Sequence, residues 1–234
     1  MKKMSFLLLA LCCAGSLAAQ TRFGFKAGFN YATMPLSDDY FAVLELVESG
    51  ELETTWLPGF HAGAVAEFSF GSNFGLGTGL LFHLKGGKRE FRGVVLGTPY
   101  LIARSVNLMY LQVPLMLHFR SGGFYVGAGP YAGYAIGGTM KSKGTSAGST
   151  SIRKEKFDFG KDENDDFSRI DYGAGFELGY DFLNNQVRVS ASYQLGLANI
   201  LPADQVEAAD DLGGNWSAKN NAASISLSYF FSGN

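Results

Sequence analysis

Hydrophobic and polar positions alternate with a period of two along most of the chain. In RIDYGAGFELGYDF (residues 169–182), Ile170, Tyr172, Ala174, Phe176, Leu178, Tyr180 and Phe182 fall on one side. Asp171, Gly173, Gly175, Glu177, Gly179 and Asp181 fall on the other. Successive strand side chains point to opposite faces, so the pattern predicts a strand with one apolar face and one face of glycine and carboxylate. The same alternation runs through RFGFKAGFNY, GFHAGAVAEFSF, FGLGTGLLFHLK, NLMYLQVPLMLHF, FYVGAGPYAGYAIG, VRVSASYQLGL and AASISLSYFF, which makes eight predicted strands. No comparable helical stretch competes.

The connections sort into two kinds. GSN, RSGG and LNN are tight hairpins built from turn-type residues. The others are long, at about 34–58, 86–105, 138–168 and 198–221. Short and long alternate strictly, and both chain ends fall on the short-turn side. That arrangement predicts an eight-stranded antiparallel up-and-down transmembrane β-barrel with long external loops and short periplasmic turns.

A soluble barrel would put the apolar face inside and the polar face in water, where Lys and Glu normally abound. Here the polar faces are mostly Gly and Ser, which suit the inside of a narrow barrel. Phe70, Phe74, Phe119, Phe124, Phe182 and Phe231 all sit on the apolar face beside the short turns, as an aromatic girdle would. About 12 residues at roughly 3.3 Å each, tilted near 45°, rise about 28 Å, the thickness of the hydrocarbon layer. The apolar face is therefore expected to meet lipid.

Composition agrees. The chain has 31 glycines, 14% aromatic residues and only 17% charged ones. Its start, MKKMSFLLLALCCAGSLAAQ, reads as a secretory signal over residues 1–19, leaving one barrel domain over 20–234. A lipoprotein signal is the rival reading of Cys12 and Cys13, but no small residue precedes Cys12. Both cysteines lie in that segment, so no disulfide is expected in the barrel. The chain carries 19 basic and 21 acidic residues; loss of Lys2 and Lys3 would leave 17 against 21, a net charge of −4. Such a balance gives no support for nucleic-acid binding.

The phrases MYLQVPLMLHF, GFYVGAGPYAGY, DYGAGFELGYDF and VRVSASYQLGLANI resemble the PorT-like outer-membrane β-barrel family of Bacteroidota. Val113-Pro114-Leu115 is the most specific part, and the resemblance covers essentially the whole mature chain. It implies an outer-membrane location and, as an alternative function, an accessory role in protein secretion. The chain departs from outer-membrane strands that finish on an aromatic residue, since Phe231 is followed by Ser232, Gly233 and Asn234.

Candidate chemistry is sparse. If Phe70 pairs with Phe74, His61 lies opposite His83 in the lumen, with Glu67 further along the strand as a conceivable third metal ligand. If Phe182 pairs with Val187, Asp181 lies opposite Arg188. Phe119 against Phe124 would set His118 opposite Tyr125. The simplest expectation for all of these is a hydrogen-bonded filling of the lumen. In the acidic loop over 154–167, Asp158, Asp162, Glu163, Asp165 and Asp166 lack the spacing of a calcium loop, which points to a solvated, mobile segment. Val43, Leu44, Leu46 and Val47 predict a short surface helix, and Trp56 and Trp216 are expected at the external interface. No catalytic, cofactor or metal residue is assigned. The expected protein is a monomeric, non-enzymatic outer-membrane barrel whose partners are lipid and either a surface ligand or secretion proteins; a rim hydrolase of lipid or peptide is a further alternative. The mature protein from an outer-membrane fraction should migrate differently on gels boiled and unboiled. A soluble periplasmic protein without such a shift would invert the two faces and make the apolar side a ligand-binding interior.

Overall fold

The computed structural model describes residues 21–48, 51–95, 98–146, 149–161, 165–211 and 213–231. The expected signal segment with Cys12 and Cys13, and Asp162 and Glu163 of the acidic loop, lie outside the described residues. The strands are β1 (Thr21–Thr33), β2 (Glu51–Thr55), β3 (Leu57–Phe70), β4 (Phe74–Val95) and β5 (Thr98–Ser121). They continue with β6 (Phe124–Ser146), β7 (Ser149–Lys156), β8 (Ile170–Phe182), β9 (Val187–Gly196) and β10 (Asn221–Phe230). Two helices, α1 (Asp38–Glu48) and α2 (Ala203–Asp211), lie in connections.

Antiparallel pairing runs from β1 through β3, β4, β5, β6, β8, β9 and β10 and back to β1. The eight expected strands thus close into a ring, and β2 and β7 are added outside it, on β4 and β6. Closure leaves no edge inside the membrane, where no water could satisfy one. The burial of the two faces is opposite to that of a soluble barrel. Phe29 is 78% exposed and Ile225 68%, whereas inward-facing Gln112, Lys85 and Asp171 are at most 1% exposed.

The expected pairs Phe70–Phe74, His61–His83, Phe182–Val187 and Asp181–Arg188 are all present. The third hairpin differs. Ser121, not Phe119, faces Phe124, so His118 lies opposite Gly127 and Tyr125 opposite Arg120. The reason is the turn: Gly122 (φ 57°) and Gly123 (φ 88°) both adopt positive φ and make a two-residue loop. Pro114 sits within β5 and removes a backbone donor there. Beside it, the Thr78 hydroxyl donates to the Pro114 carbonyl at 2.8 Å, which gives a partner to the one hydroxyl on that lipid-facing stripe of β4.

The largest departure is above the membrane. Much of what the sequence presents as long loops is strand: β4, β5 and β6 run for 22, 24 and 23 residues. A tilted strand needs only about 9–11 to cross the hydrocarbon. Their outer halves, with β2 and β7 at the flanks, form a five-stranded external sheet. There neither face meets lipid, so stretches such as Lys88-Arg89-Glu90 carry no apolar alternation.

The remaining connections fold over the barrel mouth. Met34, Val106, Leu108, Tyr110, Ala135, Phe159, Phe167, Ile200, Leu201 and Ala218 make one apolar cluster. Leu36, Tyr40, Phe157, Val206 and Trp216 pack against it. Backbone hydrogen bonds tie these segments together, from Ser37 to Ser217, Ser168 to Ile200 and Ile200 to Ala218, at 2.8–2.9 Å. The expected surface helix is α1, and Trp216 stacks obliquely on its Tyr40 at 5.1 Å instead of anchoring in the membrane interface. Burial pushes the Tyr40 hydroxyl above its ordinary pKa, opposed by the Arg89 guanidinium. The acidic loop departs from expectation in part: its Asp158 and Asp166 are exposed, as a solvated segment would have them, while its aromatic residues are packed. Phe157, Phe159 and Phe167 dock it into the cap, and the Asp166 carboxylate accepts the Asp158 backbone N–H at 2.9 Å. Its aromatic residues, interleaved with the carboxylates, outweigh the charge.

Small inward residues make room for large ones. A Cβ at Gly127 would come within 2.7 Å of the His118 ring, and one at Gly77 within 2.3 Å. Overpacking of this kind costs about 1–3 kcal/mol. Gly127→Val should therefore lower the urea midpoint of the micelle-refolded barrel while leaving its heat-dependent gel shift in place. An unchanged midpoint would mean that the His118 ring moves freely.

Candidate functional site

Parity of the strands sends nine charged side chains inward among the described residues, and they meet in three layers. Next to the short turns, Glu67 of β3 gathers arginines from three other strands. Arg22 of β1 reaches its carboxylate at 2.6 Å and Arg120 of β5 at 3.0 Å, while Arg188 of β9 bonds to the other oxygen. Arg188 also donates to Asp181 through Nε at 2.5 Å and Nη2 at 2.9 Å. Its guanidinium carbon lies 3.8 Å from the centre of the Tyr125 ring. The second layer is Lys26 of β1 against Glu177 of β8, at 2.5 Å. The third, at the external end, is Lys85 of β4 against Asp171 of β8, at 3.0 Å with both side chains fully buried. Tyr131 stands over the same ammonium at 4.2 Å.

The histidines lie between these layers. His61 and His83 stack with ring centres 4.8 Å apart and planes 10° off parallel. His61 Nε2 shares a hydrogen bond with Ser226 Oγ at 2.9 Å, and neither ring nitrogen of His83 has a protein partner. Glu67, which spacing allowed as a third ligand, faces the arginines, and its nearest histidine is His118, at 3.4 Å. Among the described residues no group of three or more potential ligands is placed to hold a metal ion. Among the described residues, His61 with Ser226 has the composition of a nucleophile and its base. The His61 Nδ1 has no orienting carboxylate, and both side chains are buried inside the barrel.

The space left inside is an internal cavity of about 60 Å³, lined by Lys26, His61, Glu67, His83 and His118 among others. Eight strands leave an interior that side chains fill. Here the ion pairs close the cavity on the periplasmic side, and Tyr110, Gln112 and the apolar cluster close it externally.

Sequence parity alone places Lys26, Lys85, Asp171 and Glu177 in the lumen. It does not pair them, because β8 lies across the ring from β1 and β4, and such contacts depend on strand stagger. Only Asp181 with Arg188, neighbours on one hairpin, was readable as a pair.

Fold and lumen define a transmembrane β-barrel of the outer-membrane class. The sequence profile of the family described as outer membrane protein beta-barrel domain matches residues 18–201, and the chain belongs to that family. No curated protein sequence matches the chain. Among solved structures it is similar to Ail of Yersinia pestis, determined with the heparin analogue sucrose octasulfate: 15% identity, 91% of this chain and 99% of Ail covered, TM-score 0.41. Neisserial surface protein A is 12% identical, with 89% and 97% covered and a TM-score of 0.38. OprG of Pseudomonas aeruginosa is 15% identical, with 91% and 95% covered and a TM-score of 0.32. The protein resides in the outer membrane.

Breaking a buried ion pair strands a charge and costs about 3–5 kcal/mol, while replacing both partners with apolar groups is often neutral. Lys85→Ala should therefore lower the unfolding free energy in lipid micelles by that amount. Lys85→Met combined with Asp171→Leu should recover most of it. Equal losses in the single and double variants would show that the ion pair itself, and not the volume it fills, holds the layer together.

Proposed function

We propose that the protein is a non-enzymatic display scaffold, a sealed barrel that holds a structured external surface toward partners outside the cell. The observation that carries this reading is the continuation of β4, β5 and β6 beyond the membrane into a sheet flanked by β2 and β7. Strands that only had to cross the membrane would end near Leu84, Met109 and Ile136. The cap supports the same reading, since three connections, with the two helices they carry, share one apolar cluster with β5 and β6 and form a fixed surface. A lumen filled by ion pairs and large side chains argues against a pore, and the buried His61–Ser226 pair lacks the orienting group and the access that hydrolysis needs. The apolar outer wall is uninterrupted around the ring, which favours a monomer surrounded by lipid. An accessory role in secretion rests on the resemblance to PorT-like barrels.

The reading is tested by the side on which each end is reached. Single cysteines are introduced as Ser151→Cys in β7 and as Ser72→Cys in the turn between β3 and β4. A membrane-impermeant maleimide should label Ser151→Cys on intact cells and Ser72→Cys only after the outer membrane is opened. The reverse pattern would turn the external sheet into the periplasm and end the display reading.

A further inference from the structure

The outward face of the external sheet has an unusual charge distribution. On β6 the lipid-facing residues end with Tyr134 and Ile136, and the same face continues upward, past the register shift beside Met109, through Thr139, Lys141 and Lys143. On β7 the residues opposite are Lys156, Lys154 and Ile152. Lys141 and Lys154 thus face one another directly, an arrangement of like charges that destabilises a sheet by itself. Lys88 continues the row two strands away, through Ser105.

These lysines are not neutralised by the protein. Lys141, Lys143, Lys154 and Lys156 form no ion pair among the described residues, and the acid nearest in the row, Glu90, is held by Lys88 and Arg92, both at 2.6 Å. Glu155 lies on the opposite face of β7 and pairs with Arg153 at 3.1 Å. Protection of an open edge by charge would explain lysines on β7. It does not explain Lys141 and Lys143, because β6 is paired on both sides here, with β5 and β7.

Height identifies the counter-charge. From Ile136 to Lys141 the strand climbs about 12 Å, taking roughly 3.3 Å per residue and a tilt near 45°. Lys156, opposite Thr139, stands lower, at about 7 Å by the same geometry. The polar layer begins at the hydrocarbon edge and extends roughly 5–7 Å outward. Lysine stems bend toward such a layer and set their ammonium groups at its level. We propose that Lys141, Lys154 and Lys156 form a seat for the phosphate groups of an anionic glycolipid in the outer leaflet, so that the sheet leans on the membrane surface along its β6–β7 side. The proposal rests on the external placement of the sheet given above.

The test uses the full mature barrel, purified in neutral detergent and mixed with diphosphoryl lipid A or with its dephosphorylated form, with retained lipid measured after gel filtration. The unboiled gel shift reports in each case that the barrel is folded. The wild type should retain the diphosphoryl lipid in preference to the dephosphorylated one. Loss of each surface lysine should cost about fivefold, so Lys141→Gln with Lys154→Gln should retain roughly twenty-five-fold less, and Lys141→Arg with Lys154→Arg should retain it as the wild type does. Equal retention of the two lipids, or equal retention by wild type and glutamine variant, overturns the seat while a persisting gel shift leaves the membrane barrel intact. Binding of a soluble polyphosphate that is as tight as that of the lipid and equally lysine-dependent would also overturn it, in favour of a soluble polyanion as the occupant.

Discussion

Inside a bilayer the backbone has no water to bond to, and this constraint governs every level of the molecule. Each amide must find its partner on a neighbouring strand, so the pairing of β1 with β10 is a requirement of the solvent. Eight strands joined in a ring enclose little space. That narrowness in turn dictates glycine and serine on the inward face, with occasional large side chains fitted between them, as His118 is fitted between Gly77 and Gly127. The outward face has only to be apolar, and Phe, Leu, Val and Ile fill it.

A narrow lumen also makes charge an organised matter. Arg22, Lys26, Lys85, Arg120 and Arg188 stand against Glu67, Asp171, Glu177 and Asp181, and each carboxylate has a cation within bonding distance. Buried ion pairs of this kind contribute little net stability compared with apolar packing. They do fix which strand lies opposite which, since a slip in register by one residue would turn every one of these charges into lipid. In this protein the layers link strands that are not neighbours, β1 with β8 and β4 with β8. They complement the hairpins, which specify only adjacent strands.

What could be read from the sequence follows the same division. Where one face meets lipid and the other the lumen, alternation is strict, and strand number, topology, facing and two of the three hairpin registers were legible. The register at Phe124 was missed because Gly122 and Gly123 make a tighter turn than RSGG implied. Above the membrane both faces are wet or lie under the cap, and the period-two signal fades although the strands continue. The short helix α2 was missed because its segment, ADQVEAADD, is mostly polar, and it is held through Val206 and Ala209 against neighbours distant in sequence. In the acidic loop the carboxylates mark solvated positions, whereas the docking of Phe157, Phe159 and Phe167 depends on a cluster built from segments distant in sequence. Residue type told which side chains enter the lumen, and only the closed ring told which of them meet.

The external sheet and the barrel wall share three unbroken strands. A pull on the outer ends of β4 and β5 along the strand direction is therefore carried as shear by ladders of hydrogen bonds that run on into the membrane-embedded wall, irregular at the register shift between Met109 and Tyr110. The β2 and β7 flanks, each bonded along one side only, would yield first by unzipping. Mechanically the molecule is a post set in the membrane, stiff along its length and soft at its lateral margins.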